Sequence, residues 1–117
     1  MPGPHDNVVR RFAEACRAGD VAALLDAEVF ALCDGGGPGP MPGPVHGAGE
    51  VGRLCEVLLC GRPGTDLTVE SVNGRPGLAL RRAGRALAVV AVQVTETHVV
   101  GLWIVVSPPK LARWHRG

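Results

Sequence analysis

The sequence predicts one small α+β domain in which N-terminal helices pack over a curved antiparallel sheet that encloses a pocket. Three observations lead to this prediction. Apolar residues recur at helical spacing in the first half of the chain, they alternate as in strands from Asp66 onward, and turn residues separate the alternating runs. Helices followed by hairpin-linked strands are typical of α+β rather than α/β proteins. A length of 117 residues suits one domain and is too short for two, so we assign residues 1–117 to a single domain.

Two helices are predicted at the start of the chain, Asp6 to Ala18 and Val21 to Asp26. In the first helix, apolar residues at helical spacing form one face that includes Phe12. Asp6 is a suitable N-cap, and Gly19 ends the helix in the usual C-terminal manner. We therefore expect a tight pair of helices separated by a single turn.

A first strand is predicted from Val29 to Cys33, followed by a loop over residues 34–44. Nine of these eleven loop residues are Gly or Pro. Proline lacks a backbone N–H donor, so this density excludes a helix or a central strand. A third helix is predicted from Gly47 to Cys60, where apolar residues again form one stripe and Gly61 follows as a helix stop.

Four further strands form a predicted meander: Leu67–Val72, Leu78–Arg82, Arg85–Val94 and His98–Val106. The turn signals between them are Asn73-Gly74, Ala83-Gly84 and Thr95 to Thr97. The last two strands are apolar on both faces, whereas a sheet with one solvent-exposed face alternates polar and apolar residues. Helices can cover one face. We therefore expect a second copy of the chain to cover the other, which gives a homodimer through the sheet face.

Composition and charge argue against several functional classes. The formal net charge is only +1, so we expect no direct binding of nucleic acid. The sequence has no bilayer-length apolar run and no signal-peptide pattern, so we expect no membrane span and a cytoplasmic location. The four cysteines form no C-x-x-C pair and are predicted to be small buried hydrophobic residues. No metal site and no cofactor are expected.

Asp34 and His46 are the candidate acid or base catalysts if the pocket is an active site. Asp34 directly precedes Gly35, Gly36 and Gly37, and an Asp in this position often accepts hydrogen bonds from their backbone N–H groups. Such bonds favour the ionised carboxylate, which suits a structural acceptor better than a base. The alternatives for His46 are a loop histidine and an acid or base in the pocket.

Phe12, Gln93 and Trp103 are the residues expected to line the pocket. Gln93 interrupts an otherwise apolar strand and is a candidate polar anchor for a ligand. Trp103 belongs to a set of only two Trp and two Phe residues, and we expect it in the pocket wall or in the core. Near the C-terminus, a packed Trp114 would be structural, whereas an exposed one would indicate a partner surface.

The predicted order of helix, helix, strand, helix and meander resembles the nuclear transport factor 2-like fold, also called SnoaL-like. More narrowly, the sequence resembles the SnoaL-like domain at the C-terminus of certain extracytoplasmic-function sigma factors. The matching segments are Asp34-Gly-Gly-Gly37, Val72-Asn-Gly-Arg-Pro-Gly-Leu78 and Ser107-Pro-Pro-Lys-Leu111, the last of which contains Lys110 and Leu111. The chain departs from the family pattern at Pro38, where the family has a basic residue, and at Ser107 and Pro109, where it has Asn and Asp.

The resemblance implies a non-enzymatic module, regulatory or sensing a small ligand, because in that family the domain tunes the activity of the attached sigma regions. The implied partners are a sigma factor or another protein, and a small apolar ligand. The fold also hosts isomerases, polyketide cyclases and hydrolases, so the alternative is a small pocket enzyme that uses Asp34 or His46. Steroid-isomerase sites in this fold use a Tyr hydroxyl as oxyanion donor, and the sequence contains no Tyr. Convergent polar side chains in the interior would favour the enzyme, and an aliphatic interior would favour the regulator.

Overall fold

N-terminal helices pack on a sheet in this α+β structure, a computed structural model that describes residues 3–35, 44–60 and 63–116. Within these residues the helices are α1 (Pro4–Ala18), α2 (Ala48–Leu58) and α3 (Pro108–Leu111). The strands are β1 (Leu25–Asp34), β2 (Val45–His46), β3 (Thr65–Val72), β4 (Arg75–Arg82), β5 (Arg85–Val94) and β6 (Val99–Val105). Single turns of 3₁₀-helix lie at Ala22–Leu24 and Ala112–Trp114. The fold class predicted from the sequence is therefore confirmed.

The strands form one mixed sheet in the order β2-β1-β6-β5-β4-β3. The predicted meander is present as β3 to β6, and both residues of its turns Asn73-Gly74 and Ala83-Gly84 have positive φ. This pair of conformations is the type I′ hairpin turn, whose twist matches that of the flanking strands. The sheet is mostly antiparallel, as predicted, but β1 lies beside β6 and runs parallel to it. No hairpin joins these two strands, so no short turn imposes an antiparallel direction.

Helix α1 begins two residues earlier than predicted, at Pro4. Asp6 does not cap it. It lies in the first turn, where its Oδ2 accepts a hydrogen bond of 3.1 Å from Arg10 Nε. Gly19 ends the helix as predicted, in the left-handed conformation with φ of 77°. A carboxylate in the first turn still interacts favourably with the positive end of the helix dipole.

The predicted second helix is instead the single 3₁₀ turn Ala22–Leu24, and β1 begins inside the predicted range. Leu25 pairs with Val99 of β6 and is buried, so sheet pairing and burial determine its conformation rather than the local helix signal. Helix α2 starts after Gly47, as predicted, and ends at Leu58. The predicted loop over residues 36–43, including Gly36 and Gly37, lies outside the described residues, as does the helix stop at Gly61.

The sheet buries apolar side chains on both faces, as its sequence pattern predicts. We call the face that packs against α1 and α2 the inner face. Its cluster is the larger one and includes the fully buried residues Phe12, Leu78, Leu80, Leu102 and Ile104. The opposite face, here the outer face, carries a smaller cluster whose buried members are Val72, Ala79, Ala86, Val89 and Leu111.

Part of the outer face is covered by the chain itself. Residues 107–116, which we call the C-terminal strap, comprise Ser107, α3 and the turn and residues that follow it. Leu111 is 3% exposed and packs on the outer cluster together with Trp114, which is therefore a structural side chain. The strap lies mainly against β5, while Trp103 on the outer side of β6 is 50% exposed. No helix in the described ranges is long and apolar enough to cross a membrane.

Candidate functional site

An apolar groove lies on the outer face, beside the strap. It consists of two adjoining cavities of about 400 and 580 Å³ that share Val72, Asn73 and Trp103. One cavity extends over β1 and β5 to Phe30, Ala91 and Gln93, and the other reaches the strap at Lys110, Arg113 and Trp114. We refer to the two cavities together as the outer groove.

Trp103 forms the middle of the outer groove, and 50% of its surface is exposed. Its direction follows from strand alternation, because Leu102 and Ile104 on either side of it point into the core. Val57 on α2, at 72%, is the other exposed large hydrophobic residue among those the structure describes. An exposed Trp that is surrounded by further apolar side chains forms a patch of the kind that binds a partner.

The floor of the groove depends on a glycine. Phe30, Gly101 and Gln93 lie in one row across β1, β6 and β5. A Cβ atom at Gly101 would lie 2.7 Å from Phe30 Cζ and 2.9 Å from Gln93 Oε1. The absence of a side chain at Gly101 therefore leaves room for the Phe30 ring and the Gln93 side chain at this end of the groove.

An ion pair marks the other end of the groove. Asp34 is the last residue of β1, and its Oδ2 accepts a hydrogen bond of 2.5 Å from Lys110 Nζ. Lys110 lies on α3 in the strap, so the pair joins two segments that are 76 residues apart in the chain. These residues belong to two of the segments that carry the sequence resemblance, and the structure brings them together at the groove.

A buried charge cluster anchors the strap on the far side of the outer face. Arg81 is only 6% exposed, and its guanidinium group contacts both carboxylate oxygens of Glu70. Arg81 Nε also donates a hydrogen bond of 2.8 Å to the carbonyl oxygen of Trp114, and Arg116 Nη2 lies 3.0 Å from Glu70 Oε1. The hydrogen bonds from Arg81, more than any other contact, lower the pKa of Glu70 from 4.5 to about 2.

A cavity of about 860 Å³ adjoins this cluster along the edge strand β3. Its charged lining includes Glu70, Arg81 and Arg116, which are already paired with one another. Arg17 also lines it and donates a hydrogen bond of 2.6 Å to the Leu67 carbonyl oxygen. Since these groups satisfy each other, the cluster is suited to hold the strap rather than to perform acid or base chemistry.

The remaining predicted site residues lie away from the groove. Phe12 is fully buried in the inner cluster and lines none of the cavities described. His46 is exposed on β2, where it pairs with Phe30. Asp34 lies four residues further along β1, which corresponds to about 13 Å. The structure therefore does not bring Asp34 and His46 together as a catalytic pair.

The interior between the helices and the sheet is aliphatic apart from the Phe12 ring. Among the described residues no Asp, Glu or His is buried, and the buried polar residues are Arg81 and Ser107. Cys16, Cys55 and Cys60 are buried free thiols, and burial raises the pKa of Cys55 to about 12, so this thiol is protonated at neutral pH. Within the ranges that the structure covers, no group of three or more His, Cys, Asp or Glu side chains could hold a metal ion.

Sequence reasoning missed the cluster of Glu70, Arg81 and Arg116. The one available signal was the position of Arg81. It shares the outward-pointing phase of β4 with Arg75, Gly77 and Ala79, and an Arg that is buried beside small apolar residues requires a counterion. The register of the β3–β4 hairpin places Asp66 opposite Arg81, so the sequence pattern does not single out Glu70 as the counterion.

Comparison with known proteins supports the same fold. No protein-family model matches the sequence, and no curated protein is significantly similar to it. The Mycobacterium tuberculosis extracytoplasmic function sigma factor SigJ matches with a TM-score of 0.68 and 29% identity, over 93% of this chain and 44% of SigJ. An NTF2-like protein of unknown function from Mesorhizobium loti matches with a TM-score of 0.61 and 17% identity, over 92% of this chain and 97% of that one.

A steroid delta-isomerase from Pseudomonas aeruginosa also matches, with a TM-score of 0.63 and 13% identity, over 97% of this chain and 87% of that one. At this identity the likeness concerns the fold alone. The match to SigJ is higher in identity, but this chain spans less than half of that protein's length. The chain has the nuclear transport factor 2-like, or SnoaL-like, fold, and within that fold it resembles the C-terminal region of the sigma factor SigJ.

Proposed function

We propose that this domain is a non-enzymatic regulatory module that docks on a protein partner through the outer groove. The observation that carries the proposal is Trp103, which is 50% exposed in the middle of an apolar groove on the outer face. Protein interfaces are enriched in exposed aromatic side chains of this kind, and Trp is among the residues that contribute most to binding energy.

The resemblance to SigJ suggests the kind of partner. The ion pair between Asp34 and Lys110 lies at the groove and joins two of the resembling segments. Because the chain spans 44% of SigJ, the remainder of such a sigma factor is the natural candidate for the surface that the groove meets. The partner is then a sigma-factor region, either on the same polypeptide or on another one.

The alternative of a pocket enzyme has less support. General acid or base catalysis needs a titratable group within reach of the substrate proton, and reactions that form an oxyanion also need a donor to stabilise it. Asp34 is engaged by Lys110, and His46 is exposed about 13 Å along the sheet from it. The aliphatic inner face offers no buried carboxylate or imidazole among the described residues. An isomerase, cyclase or hydrolase reaction would have to use a site other than this interior.

A transcription assay with a chimeric sigma factor tests the proposal. The chain replaces the SnoaL-like C-terminal region of SigJ, and the transcript yield from a SigJ-dependent promoter is compared with that of SigJ truncated before this region. We expect the chimera to differ from the truncated protein at least threefold. We also expect Trp103→Ser in the chimera to abolish that difference, since the variant removes the central apolar contact of the groove.

Val57→Ser is the matched control, because Val57 is also a highly exposed apolar residue but lies on α2, away from the outer face. It should leave the chimera unchanged. If the chimera behaves like truncated SigJ, or if both variants act equally, docking through the groove is not the function. Size-exclusion chromatography with light scattering tests the homodimer predicted from the sequence. That prediction requires a dimer at micromolar concentration that Trp103→Ser disrupts.

A further inference from the structure

We propose that the occupant of the outer groove is an acidic amphipathic segment of the partner protein, about two helical turns long. This inference rests on the proposed docking function and adds the chemistry of the partner. It follows from the charges around the groove, from the unsuitability of the same surface for self-association, and from the dimensions of the apolar floor.

The charged side chains around the groove are mostly cationic. Arg75 lines one cavity, and Lys110 and Arg113 line the other, together with Asp34. Lys110 is paired with Asp34. Arg75 and Arg113 are exposed, and neither makes a hydrogen bond or an ion pair within the described part of the chain. Two guanidinium groups thus flank an apolar floor, and the guanidinium fork is well suited to bind carboxylates.

The same charges disfavour a second copy of the chain as the occupant. In a symmetric dimer both copies use the same surface, so two grooves with mostly cationic rims would be brought together. Like charges across an interface disfavour association. A partner that carries carboxylates beside apolar residues satisfies both the floor and the two guanidinium groups.

The dimensions of the floor fit a short helix. From the row of Gly101 to that of Val105 the floor extends about 13 Å along β6, and β1, β6 and β5 together span about 10 Å across. An α-helix with its side chains is about 10–12 Å wide and rises about 5.4 Å per turn, so slightly more than two turns cover the floor. Apolar residues spaced at i, i+3 or i+4 and i+7 would then contact the surface on both sides of Trp103.

Two synthetic helical peptides of equal length test this proposal. Both carry the same leucine face, and their remaining positions are all Glu in one peptide and all Lys in the other. At 12.1 kDa the chain is small enough for amide and indole N–H resonances to be followed individually. We expect the Glu peptide to shift the indole resonance of Trp103 and the amide resonances of Ala91, Gln93 and Gly101. Its Kd should be at least tenfold lower than that of the Lys peptide.

Two variants and one control locate the interaction. Trp103→Ser should weaken binding of the Glu peptide at least tenfold, and Val57→Ser should leave it unchanged. Arg113→Glu should reduce the preference for the Glu peptide at least threefold, and because Arg113 is exposed this variant should not disturb the fold. Added salt should weaken binding of the Glu peptide in the native protein more than in Arg113→Glu.

The proposal is overturned if both peptides bind equally, if neither shifts the groove resonances at millimolar concentration, or if the shifts map to another surface. It is also overturned if the chain forms a dimer through Trp103 that excludes the peptides. The two proposals can fail separately. If the chimera responds in the transcription assay through Trp103 but the chain does not prefer the Glu peptide, only the acidic occupant is refuted and the docking function is retained. A chimera without response would instead refute the docking function itself.

Discussion

Replacing Glu70 by Gln removes one negative charge from the cluster that anchors the C-terminal strap while preserving the shape of the side chain. In the native chain the Glu70 carboxylate accepts hydrogen bonds from Arg81, Arg116 and Thr68. Only 7% of the Arg81 side chain and 15% of the Glu70 side chain are exposed, so water compensates neither charge well. The variant therefore leaves the Arg81 guanidinium group nearly buried and without its counterion.

The size of the effect follows from the pKa of Glu70, which is lowered from 4.5 to about 2 mainly by the hydrogen bonds from Arg81. A lowering of this size corresponds to about 3 kcal/mol of folding free energy at neutral pH. Removing one partner of a buried ion pair costs about 3–5 kcal/mol in other proteins, which agrees with this value. Because the folded-state pKa is the lower one, the stabilisation is complete above the ordinary pKa of 4.5 and is lost as the pH falls toward 2.

Urea unfolding at pH 7 and at pH 3 measures this contribution. We expect Glu70→Gln to lower the free energy of unfolding by about 3 kcal/mol at pH 7 and by about half of that at pH 3. Glu50→Gln is the matched control, since Glu50 pairs with Arg53 on α2 and both side chains are more than 60% exposed. It should cost less than about 0.5 kcal/mol at either pH. A loss for Glu70→Gln no larger than the control's, or equal losses at both pH values, would refute the reasoning.

Two further pairs of variants make predictions that denaturant unfolding can check. Gly77→Ala should lower the free energy of unfolding by about 3 kcal/mol, because its Cβ would lie 2.5 Å from a backbone carbonyl oxygen of β5 that cannot move aside. Gly101→Ala should lower it by less than about 1 kcal/mol and shift the ring resonances of Phe30, because its Cβ meets only the tips of side chains. Similar losses for the two glycines would contradict this reasoning. Leu111→Ala should cost about 2–4 kcal/mol, since Leu111 is 3% exposed. Lys110→Ala should lower the free energy of unfolding by less than about 1 kcal/mol, because the Lys110 side chain is 57% exposed. If its loss exceeded that of Leu111→Ala, the ion pair rather than packing would hold the strap.

Several residues of the outer groove could be named from the sequence, but their arrangement could not. Gln93 and Trp103 stand out as a polar interruption and a rare aromatic residue in apolar strands, and Asp34 and Lys110 belong to recognisable segments. The expectation was that such residues would line an enclosed pocket. The structure places them along an open groove on the outer face, because strand alternation turns Trp103 away from the helices. Phe12, which the helical pattern places on an apolar face, packs in the core.

Local signals in the sequence were sufficient for the elements whose conformation is set by neighbouring residues. The apolar periodicity of α1, the left-handed Gly19 and the I′ turn at Asn73-Gly74 each depend on interactions within a few residues, so the helix and the meander could be predicted. The tertiary structure alone decided the parallel pairing of β1 with β6, the strap over the outer face and the buried pair of Glu70 with Arg81. The first two features join residues that are far apart in the chain, and their formation depends on which surfaces remain to be covered once the local elements have packed. The third lies within one hairpin, but the strap that covers Arg81 comes from the distant C-terminus.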